Sequence, residues 1–92
     1  MKCIVEMFGL PPGLTDLTKI EVELCQGDDL NGLVAGLRSK IPTLAGNVIS
    51  TKEDKLLDNY AFIVNGHYYL NDGDVRLQDG DRVVLVLLAI GG

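Results

Sequence analysis

The chain has 92 residues, enough for one domain that buries only about 60 to 65% of the surface its unfolded chain exposes. Nearly half of the residues are hydrophobic, yet Trp is absent and aromatics are few, so the core must be aliphatic, and there is no room for a second one. A formal net charge of −5 argues against nucleic acid as a partner, because its binders gather Lys and Arg on one face.

The first residues, Met1 to Glu6, reach a carboxylate after three apolar residues and so lack the apolar region of a signal peptide. No run of residues is long enough to span a membrane. The expected compartment is the cytoplasm, with both cysteines reduced.

Residues 2 to 8 alternate as a strand, with Cys3, Val5 and Met7 on the inner side and Ile4, Glu6 and Phe8 on the outer. The breaker cluster from Gly9 to Asp16 must be a loop, since its prolines and glycines cannot sit inside a ladder. Lys19 to Leu24 then alternates strictly, the pattern of a half-buried antiparallel strand closing a hairpin. Pairing the inner residues places Cys3 by Leu24, Val5 by Val22 and Met7 by Ile20. Cys25 then falls on the opposite face from Cys3, which disfavours a disulfide. As strand cysteines they read as small buried hydrophobes rather than as a sulfur relay or metal ligands.

Gly27-Asp28-Asp29 is an acidic N-cap leading into the stripe Leu30, Leu33, Val34, Leu37, Ile41, which predicts the one main helix. Arg38 and Lys40 favour its C-terminal end and Pro42 stops it. Gly32 and Gly36 lie off the stripe; they read as solvent-facing weak points, with a close-contact surface for a partner as the alternative. Residues 43 to 59 read as an irregular excursion with one short helical turn.

Tyr60 to Val64 is β-rich and stops at Asn65-Gly66, a dipeptide suited to a type I′ turn, from which His67 to Leu70 returns as a short strand. His67 has no second ligand nearby, and the clusters Asn71 to Asp74 and Asp79 to Asp81 lack calcium-loop spacing, so turn chemistry explains them better. Leu77 should drop into the core between them.

The last strand begins at Val83 and is apolar through Ile90, before Gly91-Gly92. Apolar on both sides, it should run in the centre of the sheet, parallel to the first strand, with one helix covering one face. Val83, Leu85 and Leu87 would face the helix. Val84, Val86 and Leu88 would emerge near Ile4 and Phe8 on a face left open as a partner surface, unless the 43 to 59 excursion folds back over it.

The element order, Asn65-Gly66, the turn Leu77-Gln78-Asp79-Gly80-Asp81 and Gly91-Gly92 together resemble the ubiquitin-like β-grasp sulfur carriers, the small subunit of molybdopterin synthase and the thiamine-pathway sulfur carrier. The resemblance spans the chain and is weakest at 43 to 59, which is longer than a compact carrier needs. It implies an α+β fold, a ubiquitin-like β-grasp with a mixed sheet of four to five strands and one main helix, over a single domain 1–92 with an extended tail at 89–92. It also implies that an E1-like enzyme adenylates the Gly92 carboxylate with ATP, and that the acyl adenylate becomes a thiocarboxylate donating sulfur to a synthase large subunit. Gly91 would be the second thin residue of the tail, and Phe8, Val84, Val86, Leu88 and Ile90 the partner contact surface. The chain carries no base, nucleophile or phosphate-binding loop of its own, so it is expected to be a carrier without a bound cofactor or metal, and not an enzyme. Length and Phe8 favour the molybdopterin branch slightly. A protein modifier conjugated through Gly92 and an interaction module with an inert tail are the alternatives.

Overall fold

The computed structural model describes residues 1–10, 13–14, 18–69 and 75–88, with the side chains of Tyr68 and Tyr69 set aside. The chain forms strands β1 (Lys2–Phe8), β2 (Lys19–Glu23), β3 (Tyr60–Val64), β4 (His67–Tyr69) and β5 (Arg82–Leu87), a helix α1 (Leu30–Lys40) and a 3-10 turn Pro42–Leu44. The sheet order is β2-β1-β5-β3-β4. β5 lies at its centre, parallel to β1 and antiparallel to β3, as its unbroken apolar run requires. This is the ubiquitin-like β-grasp architecture expected from the sequence.

Alternation sets the faces. Cys3, Val5 and Met7 of β1 are buried, as are Val83 and Leu85 of β5, and α1 covers them with Leu30, Leu33, Val34 and Leu37. The Asp29 carboxylate caps the helix by accepting the Gly32 amide at 3.1 Å, which satisfies one of the donors a helix start leaves unpaired. Asn65 and Gly66 both take positive φ, 49° and 90°, and turn the chain from β3 to β4 as a type I′ turn demands. The Asp79 to Asp81 turn engages its carboxylates with backbone amides: Asp81 accepts the Gln78 amide within the turn and Asp79 the Lys2 amide at the start of β1, each at 2.8 Å. Leu77 is buried beside it.

Three expectations need correction. The β1/β2 hairpin pairs Cys3 with Val22 and Val5 with Ile20, a shift of two residues from Cys3 by Leu24. A slip of two keeps every side chain on its face, and Leu24 instead exchanges backbone hydrogen bonds with Met1. Gly36 is neither a solvent-facing weak point nor a partner surface: a Cβ there would lie 2.6 Å from Val22 Cγ1, so its bare backbone is what lets α1 sit down on β2. Leu87 has the predicted parity but is 42% exposed, because β5 has by then run past the buried cluster, which ends on that strand at Leu85.

The 43 to 59 excursion contributes more than a loop would. Leu44, Val48 and Ile49 are fully buried and Leu56 nearly so, and two isolated bridges, Ala45 with Ile49 and Ile49 with Leu56, fold the segment on itself. Arg38 at the end of α1 ties it down, its guanidinium donating to Asp54 Oδ1 at 2.6 Å and to the carbonyls of Ser50 and Glu53 at 2.9 and 2.7 Å. The segment joins the core on the helix side and leaves the outer face of the sheet uncovered. Among the described residues no helix is long and apolar enough to cross a membrane.

Candidate functional site

The register across β1, β5 and β3 builds the outer face row by row. Phe8 pairs with Val86, which pairs with Ala61; Glu6 pairs with Val84, which pairs with Ile63. The first row is entirely apolar. The second is closed at one side by Glu6, whose carboxylate receives the Arg82 guanidinium at 3.2 Å. Val84, Val86 and Ile63 are half-buried, and Ala61 is too short to emerge between its neighbours. Phe8 is 55% exposed, the larger of the two conspicuous apolar exposures among the described residues, the other being Leu87. Solvent-exposed aromatic surface at the end of a strand has no role in holding the sheet together, and contiguous apolar surface of this kind marks contact sites.

Phe8 and Leu87 lie at the same end of the sheet because β1 and β5 run parallel, and from that end the chain continues toward residue 92. Leu88 is half-buried and still held: its amide donates to the Asn59 carbonyl at 2.8 Å, one step beyond the Tyr60–Leu87 pair. On the other side Gly9 turns away from β1 with a φ of +73°, and a Cβ on it would lie 3.4 Å from Leu87 Cβ. Phe8, Val84, Val86 and Leu88 are thus brought together at the outer face and its exit. Ile90, Gly91 and Gly92 lie outside the described residues. The contributions of Gly9 and Asn59 escaped the sequence reading. A glycine following a strand was a usable signal for the first, whereas a backbone carbonyl leaves no signature in sequence.

The expectation of two small buried strand hydrophobes holds for Cys3 and fails for Cys25, which lies beyond the end of β2 at Glu23 and so is not packed under the sheet. Both are free, Cys25 exposed and Cys3 buried, and the Cys3 thiol donates to the Asp81 carbonyl oxygen at 3.5 Å. Burial, with a smaller push from the Asp81 carboxylate, raises the Cys3 thiol to about 11. It stays protonated near neutral pH and cannot serve as the thiolate a sulfur relay needs. Among the described residues no group of three or more His, Cys, Asp or Glu is placed to hold a metal ion.

The sequence matches no protein-family model and no curated protein. In fold the chain is similar to SAMP1 of Haloferax volcanii, with a TM-score of 0.82 over 100% of both chains at 17% identity. It is similar to a chain of the BexX/CysO complex of Amycolatopsis orientalis, at 0.69 and 17% identity over 98% of this chain and 99% of that one. It is similar also to a chain of the complex of subunits 1 and 2 of the molybdopterin-converting factor of Helicobacter pylori, at 0.62 and 22% identity over 100% of both. At these identities the likeness is one of fold, and it extends from end to end of the chain.

Proposed function

From a β-grasp fold with an open apolar face beside its exit, we propose that this chain is a sulfur carrier working through Gly92. An E1-like partner forms the acyl adenylate from the Gly92 carboxylate and ATP, releasing pyrophosphate. A sulfur nucleophile then displaces AMP, and the resulting thiocarboxylate gives its sulfur to a synthase large subunit in cofactor biosynthesis. The adenylate is needed because a carboxylate oxygen is too poor a leaving group to be displaced directly. Cys3, buried and protonated, takes no part; the sulfur sits on the chain's own carbonyl carbon.

The observation that carries this reading is the placement of β5: a central strand, paired on both sides, whose last described residue is held to Asn59 beside exposed Phe8. A rigid body can so present the thin Gly91-Gly92 segment to a partner docked on Phe8, Val84, Val86 and Leu88, with Ile90 extending the contact. The likeness to a subunit of a molybdopterin-converting factor supports the molybdopterin branch over the thiamine one, and the two neighbours solved as complexes support a docked partner protein. ATP belongs to the activating partner, the chain binding no cofactor of its own, and a cytoplasmic setting is part of the same proposal.

The test is reconstitution. With ATP, a sulfur donor and the activating enzyme from the same cells, the intact chain should acquire sulfur at Gly92, and a chain lacking Gly91 and Gly92 should not. Equal activity from the shortened chain would instead make the tail inert. The likeness to SAMP1, described for a second H. volcanii structure as a small archaeal modifier protein, favours conjugation through Gly92 as the second reading. Isopeptide-linked products in place of the thiocarboxylate would establish it.

A further inference from the structure

The 43 to 59 excursion is the part of the chain that the proposed function leaves unexplained. Both sides of the β5 exit are attached to it. Its last residue before β3, Asn59, supplies the carbonyl that receives the Leu88 amide. Near its start, the Thr43 hydroxyl donates to the carbonyl of Leu14 at 2.7 Å, five residues after Gly9, whose backbone approaches Leu87. Between these two points the excursion is locked. Leu44, Val48 and Ile49 are buried in the core, the Leu57 amide donates to the Val48 carbonyl at 2.8 Å and the Tyr60 amide to the Leu57 carbonyl at 3.0 Å, while Arg38 holds the bend at 50 to 54. A loop with these anchors cannot shift without opening the core.

Four residues follow Leu88, and at ~3.3–3.6 Å per residue they reach at most about 14 Å from it. If β5 frayed by two residues, that reach would grow by about half and its starting direction would be lost.

We propose that the 43 to 59 excursion is a brace for the root of the C-terminal segment, in which the Asn59 carbonyl and the Thr43 hydroxyl are positioning groups that fix where the reach of Gly92 begins. The inference rests on the proposed carrier function. It assigns to the activating partner a reaction centre no farther than that reach from the point where Leu88 is held. Neither group touches the reacting atoms. Their effect is on orientation, and misplacing a reacting group by about 1 Å can cost on the order of 100-fold in rate.

Two variants test it, Thr43→Val, which removes the hydroxyl from an exposed side chain, and Asn59→Gly, which loosens the turn that presents the carbonyl. The first readout needs no partner. In the full chain the Leu88 amide should exchange with solvent at least about 100-fold more slowly than an unstructured amide, and Asn59→Gly should speed it while leaving Val83 and Leu85 protected. The second is ATP–pyrophosphate exchange by the activating enzyme with the chain as substrate. Both variants should lower kcat by about tenfold or more with KM for the chain within about twofold, the signature of lost orientation with docking intact. A freely exchanging Leu88 amide in the unaltered chain, or variants with unchanged kcat, would overturn the brace. No exchange activity with the unaltered chain would instead overturn the carrier function beneath it.

Discussion

Gly36→Ala should destabilise the protein even though it improves the helix. In an exposed helix interior, replacing Gly by Ala stabilises by about 1 kcal/mol. Here the added methyl would lie 2.6 Å from Val22 Cγ1, about 1 Å inside the favourable separation of two carbons. Val22 is 1% exposed, its β-branched side chain has little rotamer freedom, and its backbone is fixed in register opposite Cys3, so helix and strand must part. Overpacking of this kind costs about 1–3 kcal/mol, which leaves a net loss of up to about 2 kcal/mol. For a domain of this size each kcal/mol moves Tm by roughly 4–8 °C. Urea and thermal unfolding of Gly36→Ala, Gly32→Ala and the pair Val22→Ala with Gly36→Ala would measure it. Gly32→Ala should cost less than Gly36→Ala, because the group its methyl meets, at 3.0 Å, is the half-buried Asp28 side chain, held by the Cys25 amide at 2.9 Å, rather than a fully buried residue of a core strand. The paired variant should recover part of the loss, with a coupling of about 0.5 kcal/mol or more. A Gly36→Ala protein more stable than the parent by the full helix-propensity gain would refute the close approach of α1 to β2.

Other consequences follow from the same geometry. A maleimide at pH 8 should label the native chain once, at exposed Cys25, with Cys3 reacting only in denaturant; rapid double labelling would contradict the burial of Cys3. Because the native state holds the Cys3 proton up to about 11, its contribution to stability is complete below the ordinary thiol range and is lost as pH rises through about 11. A Cys3→Ala variant should lack that alkaline component in pH-dependent unfolding. Arg38→Lys should free the bend at 50 to 54, since an ammonium cannot reach the Asp54, Ser50 and Glu53 oxygens as the fork does; cleavage by trypsin at Lys52 or Lys55 should accelerate severalfold, and an unchanged rate would show that the buried residues alone hold the segment. Phe8→Ala should change stability by less than about 0.5 kcal/mol while weakening partner binding by tenfold or more. Leu85→Ala, fully buried, should do the reverse at a cost of about 2–5 kcal/mol.

What could be read from sequence was whatever periodicity or turn chemistry encodes. The two-residue alternation of Cys3 to Phe8 gave the faces of β1, the stripe from Leu30 to Ile41 gave the helix and its buried side, and Asn65-Gly66 gave the turn. The apolar run that begins at Val83 placed β5 at the centre of the sheet, between β1 and β3, and its alternate residues Val84 and Val86 face the side the helix leaves open. Legibility failed where a single residue acts through a contact distant in sequence. Leu44, Val48, Ile49 and Leu56 fill the core from a segment without period, so their pattern matched neither helix nor strand. Gly36 looked idle because its function is the absence of a methyl against Val22, a contact that no periodicity marks. The hairpin register moved by two because face parity, which the sequence specifies, is blind to a slip of that size. Of the candidate site, the open face with Phe8, Val84 and Val86 was legible from alternation, while the hold of Asn59 on Leu88 was not, being a bond between backbone groups.

The most direct measurement is the intact mass of the protein purified from its own cells under non-reducing, thiol-free conditions. The carrier function predicts a species heavier by the difference between sulfur and oxygen, with fragmentation placing the change on Gly92. Finding that increment on Cys25, Cys3 or a methionine, or finding only the unaltered mass even after incubation with ATP, a sulfur donor and the activating enzymes of those cells, would contradict it.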